Sequence, residues 1–135
     1  MLNEKFNLIK ENSPHLTKIY LRNLFRRHPD LFLKSLGSMK AKVNYFNRTL
    51  NRQLAKEKAF PLLLHYNFQH IWSRCEVLRD FGMKNFDVVE VLTTTDADFC
   101  KKFGIAKESL KLKKSLKPVR EEKDYLWTYT TAGGN

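Results

Sequence analysis

Two short stretches, His28-Pro29-Asp30-Leu31-Phe32 and Phe60-Pro61-Leu62-Leu63-Leu64, stand 32 residues apart and decide how the chain is read. Slid over each other by that interval, they bring much of the sequence behind them into register. Ser35-Leu36 falls on Asn67-Phe68, Met39 on Ile71, Lys42 on Arg74, Val43 on Cys75, Phe46 on Leu78 and Leu54 on Phe86. A period between about 20 and 50 residues marks stacked repeats, in which each unit shares its apolar face with its neighbours. A third copy beginning near Thr93 lacks the proline and reads Thr93-Thr94-Thr95-Asp96, so the pattern weakens there.

The hydrophobic positions inside and around these units recur at helical spacing. Leu16, Ile19, Tyr20 and Leu24 make one stripe of a helix that ends before Pro29, because a proline disfavours helical geometry in the residue before it. Ser13 is a candidate N-cap for that helix, and Pro14 suits its first turn. Met39, Val43, Phe46 and Leu50 form a second stripe. Phe68, Ile71, Trp72, Cys75 and Leu78 form a third, and Phe86, Val89 and Leu92 mark a shorter helix after Gly82, with Asp87 near its start. With 5 Gly and 4 Pro in 135 residues, tight hairpins and glycine-rich phosphate loops are scarce. The expectation is an all-α chain.

At these residues the sequence resembles the mTERF family, the mitochondrial transcription termination factor repeat proteins. The likeness rests on His28–Phe32 followed by Ser38-Met39-Lys40-Ala41-Lys42-Val43-Asn44-Tyr45-Phe46. A second set is Phe60–Leu64, then Ile71-Trp72-Ser73-Arg74-Cys75-Glu76-Val77-Leu78 and Phe81-Gly82-Met83. It covers about residues 17–105 and implies a short α-solenoid of stacked helical repeats with a basic surface. The repeat region would be 1–105, with its clear copies at about 29–60 and 61–92, ahead of a basic segment and aromatic tail at 106–135. Complete family members are longer, so a fragment or short form is implied. The resemblance also implies binding to nucleic acid, double-stranded DNA before RNA, in the regulation or termination of mitochondrial transcription. A protein-interaction or ribosome-assembly adaptor using the same stack is the alternative, with a protein partner at the open end of the array.

The charge supports a polyanionic partner. The formal net charge is +11, and it is uneven: residues 17–60 carry +9 and residues 106–120 carry +5, whereas residues 1–16 sum to zero and residues 61–105 to −1. Lys18, Arg22 and Arg26 lie at i, i+4 and i+8, with Arg27 beside them, and Arg48, Arg52 and Lys56 repeat that spacing. Like charges one turn apart repel by a few tenths of a kcal/mol per pair unless something neutralises them. Phosphates do so, with release of counterions; solubility alone is the other reading of such stripes. Lys42 and Arg74 recur once per repeat, either facing a regularly spaced backbone or lying at a solvated helix edge. Lys101 and Lys102 complete the candidate set.

The segment from Lys107 to Arg120 reads as a basic helix or an arm that adds nonspecific affinity. Beyond it Tyr125, Trp127 and Tyr129 alternate in strand fashion before Gly133-Gly134, to stack on bases or to cap the array. Catalysis finds no support: His15, His28, His65 and His70 form no helical metal pair and have no obvious partner acid. Cys75 and Cys100 have no histidine placed to activate them, and Asp96 and Asp98 lack the further ligands of a calcium loop, reading instead as a helix cap. No metal, cofactor or enzymatic activity is expected. No apolar run approaches the roughly 20 residues needed to cross a bilayer, so no membrane partner is expected. The N-terminus does not read as a transit peptide, leaving a missing presequence or a cytosolic or nuclear protein against the mitochondrial site implied by the family.

Overall fold

A computed structural model describes residues 2–13, 16–57, 60–120 and 127–131. The chain divides into two compact units, Met1–His65 and Tyr66–Asn135. The division falls inside the segment read as one repeat region.

In the first unit, helix α1 (Leu2–Asn12) packs on α3 (Leu36–Asn44), and α2 (Lys18–Arg27) leads into a 3-10 turn at Pro29–Leu33. A π-turn (Tyr45–Thr49) extends α3, and a 3-10 turn (Leu54–Lys56) precedes the one-turn helix α4 (Phe60–Leu63). As expected, α2 stops before Pro29, with His28 as its C-cap. Its N-cap is Thr17, whose hydroxyl accepts the Tyr20 N–H at 3.1 Å, so Ser13 is not the cap; Pro14 lies outside the described residues.

In the second unit α5 (Phe68–Asp80) packs on α6 (Val88–Thr93) and on α8 (Lys107–Ser115), which is joined to α7 (Asp96–Phe103) through Gly104. Gly104 ends α7 in the left-handed conformation at φ 67°, which glycine adopts without a Cβ penalty. The body of the chain is mostly helical. Its departure from an all-α chain is an antiparallel ladder in which β1 (Leu116–Arg120) pairs with β2 (Trp127–Thr131), Leu116 opposite Thr131 and Arg120 opposite Trp127. The strand alternation read at Trp127 and Tyr129 therefore corresponds to a strand; Tyr125, Gly133 and Gly134 lie outside the described residues. Val119, Thr128, Thr130 and Thr131 favour extended backbone, and Pro118 is tolerated because a two-stranded ladder has only edges.

The repeated positions have matching structural jobs in the two units. Ser35 and Asn67 are both N-caps, accepting from the Ser38 N–H at 3.1 Å and the His70 N–H at 2.8 Å. Such a cap contributes about 1 kcal/mol. Phe32, Leu64, Met39, Ile71, Val43, Cys75, Phe46 and Leu78 are all buried.

The basic position of the repeat is also interior. Lys42, 1% exposed, donates from Nζ to the Leu64 carbonyl at 2.8 Å, just beyond the end of α4. Arg74, 3% exposed, donates from Nη1 to the carbonyls of Val91 at 2.7 Å and Thr94 at 2.6 Å, at the end of α6. Lys5 on α1 does the same for Phe32 in the 3-10 turn. Thus α1, α3 and α5 each carry a buried cation that holds the end of a short helical segment. The last carbonyls of any helix lack intrahelical partners, and a cation there also meets the negative end of the helix dipole.

Burial, and secondarily the charge of Lys34, pushes the Lys42 ammonium down from 10.5 to about 8. Between those values the unfolded chain binds more protons than the folded one, so stability should rise with pH across that window. Compared with a Lys42→Met variant, the wild type is expected to gain on the order of 1–3 kcal/mol between pH 7 and pH 10.5 in urea unfolding. A difference that does not change with pH would show that this ammonium is not desolvated.

Candidate nucleic-acid interface

The exposed cations of the first unit gather on α2. Leu21 and Leu24 are its buried residues, and Lys18, Arg22, Arg26 and Arg27 are exposed. The apolar stripe differs from the one read in the sequence: Ile19 is 71% exposed and sits among the cations, and Tyr20 is partly exposed with its ring 6.2 Å from that of Phe60. Leu24 belongs to both readings; Leu16, Ile19, Tyr20 and Leu24 and the pair Leu21 and Leu24 each fit a helical stripe, and burial selects Leu21 with Leu24.

Beside this face, a groove of about 320 Å³ runs between α1 and α2, lined by Phe6, Asn7, Lys10, Lys18, Leu21 and Arg22. Three cations line it, and among the described residues no carboxylate pairs with Lys10, Lys18, Arg22, Arg26 or Arg27. Lys10 was not singled out in the sequence, because residues 1–16 have no net charge; only the fold shows that it shares a groove with Lys18 and Arg22. Uncompensated cations around a polar groove attract phosphate, and Asn7 adds a neutral hydrogen-bonding group there.

The other candidates are placed differently. Lys42 and Arg74 are corrections: both are enclosed and bonded to carbonyls, so neither presents its charge to a phosphate. Arg74 is further tied by Nη2 to Asp96 Oδ1 at 2.8 Å, by Nη1 to the Thr94 hydroxyl at 3.2 Å and by a guanidinium 5.0 Å from the Phe99 ring centre. The ladder of Arg48, Arg52 and Lys56 is not one helical stripe. The helical run from α3 ends in the π-turn at Thr49, and Asn51 turns the backbone left-handed at φ 55°, a conformation that asparagine tolerates. Arg48 is exposed, whereas Arg52 Nη1 meets Glu57 Oε1 at 3.4 Å. In the second unit Lys101 is exposed and Lys102 pairs with Glu90.

Hydrogen bonds from Lys114 first, and Arg74 after it, hold the Asp96 carboxyl below the usual carboxylate range. Thr95, not Asp96, caps α7, accepting the Asp98 N–H at 3.1 Å. His70 Nε2 lies 3.0 Å from the Leu92 carbonyl, and burial lowers its pKa, so it enters this cluster as a neutral donor. His65 has a partner acid after all: its Nδ1 lies 3.1 Å from Asp30 Oδ2, with the His28 ring 6.2 Å away. Both partners are substantially exposed. Cys75 and Cys100 are buried and not joined in a disulfide. Among the described residues no group of three His, Cys, Asp or Glu is placed to hold a metal ion, and no helix is long and apolar enough to cross a membrane.

The mTERF family model matches residues 15–100, which include the proline units, both buried cations of the repeat and the α2 face. The chain belongs to the mTERF family. No curated protein and no solved structure gives a significant match. For this mTERF chain the family assignment and the buried Lys42 and Arg74 agree: the repeat motif describes how helices are held, and the exposed α2 cations are additional to it.

Replacing Arg74 tests that division. Arg74→Ala leaves the Val91 and Thr94 carbonyls without their donor and is expected to cost about 2–4 kcal/mol in denaturant unfolding. Arg74→Lys should recover less than half, since one ammonium cannot reproduce the guanidinium fork. A loss below about 1 kcal/mol in Arg74→Ala would refute the clamp.

Proposed function

We propose that this mTERF chain is a non-enzymatic nucleic-acid-binding protein built as a short helical-repeat solenoid. We infer that it acts on double-stranded DNA in the regulation or termination of mitochondrial transcription. The observation that carries the binding reading is the set of exposed cations on α2, Lys18, Arg22, Arg26 and Arg27, with the half-buried Lys10 of α1 in the adjoining groove, among the described residues without a carboxylate partner. Family membership supports nucleic acid as the ligand class. The compartment and the transcriptional role rest on the organellar roles common in that family, and the preference for duplex DNA on the rigid spacing of cations along one helix. Arg48 and Lys101 are proposed as outlying backbone contacts.

Contacts of this kind position a protein on a duplex without reading its sequence. Neutralising Z phosphates makes log K fall with log salt at a slope of about −0.9Z for duplex DNA. The test is fluorescence anisotropy with a short labelled duplex across a salt series. The wild type should lose affinity steeply as salt rises. Arg22→Ala with Arg26→Ala should bind about tenfold or more weakly at low salt, with a slope smaller by about 1.8. Arg79→Ala, at an exposed arginine paired with Glu76 in the other unit, serves as the control. Affinity unchanged by salt would reject backbone neutralisation, and equal affinity for a single-stranded RNA of the same sequence would reject the preference for duplex DNA.

A further inference from the structure

The second unit contains a groove of different character. About 410 Å³ of open space lies between α7 and α8, with Ala97, Cys100 and Leu110 forming an apolar floor and Lys107, Lys111 and Lys114 forming one wall. The three lysines stand at i, i+4 and i+7 on α8, so at 1.5 Å per residue they line about 10 Å of the groove. Asp96 is the acidic residue on the opposite side, and both of its oxygens are already engaged: Oδ2 by Lys114 at 2.7 Å and Oδ1 by Arg74 at 2.8 Å. Among the described residues Lys107 and Lys111 have no carboxylate partner. The groove therefore combines an apolar base with two uncompensated positive charges one helical turn apart.

That combination selects its ligand. A phosphodiester backbone would satisfy the lysines but would lay polar, hydrated atoms on Ala97, Cys100 and Leu110, which is unfavourable without hydrogen-bond partners. A helix with apolar side chains at i, i+3 and i+4 and carboxylates one turn apart on its flank satisfies both requirements. Such a helix laid in a groove is a recurrent recognition mode, and charge complementarity of this kind sets register and partner choice. We propose that the α7–α8 groove docks an acidic amphipathic helix of a partner protein, with its apolar side chains on Ala97, Cys100 and Leu110 and its carboxylates on Lys107 and Lys111. This site is separate from the α2 face proposed for nucleic acid and does not depend on it.

The test uses the full chain and three synthetic peptides: an acidic amphipathic helix with leucines on one face and glutamates one turn apart beside them, a scrambled peptide of the same composition, and the same helix with lysine for glutamate. Binding is followed by NMR through the backbone amides of Ala97, Cys100, Leu110 and Lys111. The acidic amphipathic peptide should shift these signals and bind about tenfold or more tightly than either control. Lys107→Glu with Lys111→Glu should reduce its affinity by about tenfold or more. Ala97→Trp, which fills the floor from an exposed position, should block binding while leaving the thermal transition unchanged. Arg22→Ala with Arg26→Ala should leave peptide binding intact, so failure here is distinguishable from failure of the nucleic-acid reading. The proposal is overturned if the scrambled peptide binds equally, if the double charge reversal has no effect, or if a DNA duplex rather than the peptide shifts the groove signals.

Discussion

A helix of one turn cannot satisfy its own carbonyls, and that constraint organises both units of this protein. The last four carbonyls of any helix lack intrahelical donors. In α4 the Phe60 and Leu62 carbonyls accept from the Leu64 N–H at 3.3 Å and the His65 N–H at 3.0 Å, and the Leu64 carbonyl just past its end accepts from Lys42. Buried without partners they would each cost roughly 1–3 kcal/mol. Lys5, Lys42 and Arg74 meet the need from the long helices alongside, with their charges at the negative ends of the short elements. A lysine or arginine suits the task because its apolar stem packs along the core while its head reaches the backbone. The charge is costly to bury, as the lowered pKa of Lys42 shows, and the hydrogen bond is what keeps it there.

This arrangement also determines which cations are available for function. A guanidinium bonded to two carbonyls, a hydroxyl and a carboxylate is already solvated by protein, and it cannot displace counterions from a nucleic acid without breaking those bonds. Salt-dependent affinity arises only from cations that reach phosphates. The net charge of +11 therefore overstates the electrostatic footprint. Lys5, Lys42, Arg74 and Lys113 are interior. What remains concentrated in the first unit is α2, a helix with Thr17 at its start and no acidic residue in its first turn, and in the second unit the groove lysines Lys107 and Lys111 of α8.

The sequence showed local structure better than it showed direction. The prolines and many apolar positions were legible because backbone restriction and helical spacing act within a few residues, and Ser35 and Asn67 were legible as a matched pair rather than as caps. Lys42 and Arg74 were legible as a recurrence but not as interior groups. Their acceptors lie 17 to 22 residues downstream, so no local pattern records them. Ile19 and Leu21 exchanged places because two overlapping stripes fit one helix. Arg52 left its ladder because a single left-handed residue, Asn51, interrupts the run, and asparagine does not require that conformation. Lys10 was hidden by a segment charge of zero, a sum that carries no information about which face each charge occupies.

The fading of the repeat near Thr93 has a geometric explanation. The long helices of the first two copies are capped by Ser35 and Asn67, 32 residues apart, and α7 is capped by Thr95, only 28 residues after Asn67. A comparison at a fixed interval of 32 therefore loses the third copy by about one helical turn. There the chain has a short helix, α6, followed by the capped helix α7. Without a proline to set its first turn, α6 is fixed by side chains at both ends. Asp87 accepts the Val89 N–H at 3.0 Å, while His70 and Arg74 take the carbonyls of Leu92, Val91 and Thr94. Proline restricts the unfolded chain as much as the folded one, so its absence leaves more conformational entropy to overcome. The larger donor set at this clamp, an arginine and a histidine where the first unit uses one lysine, supplies the compensating interactions.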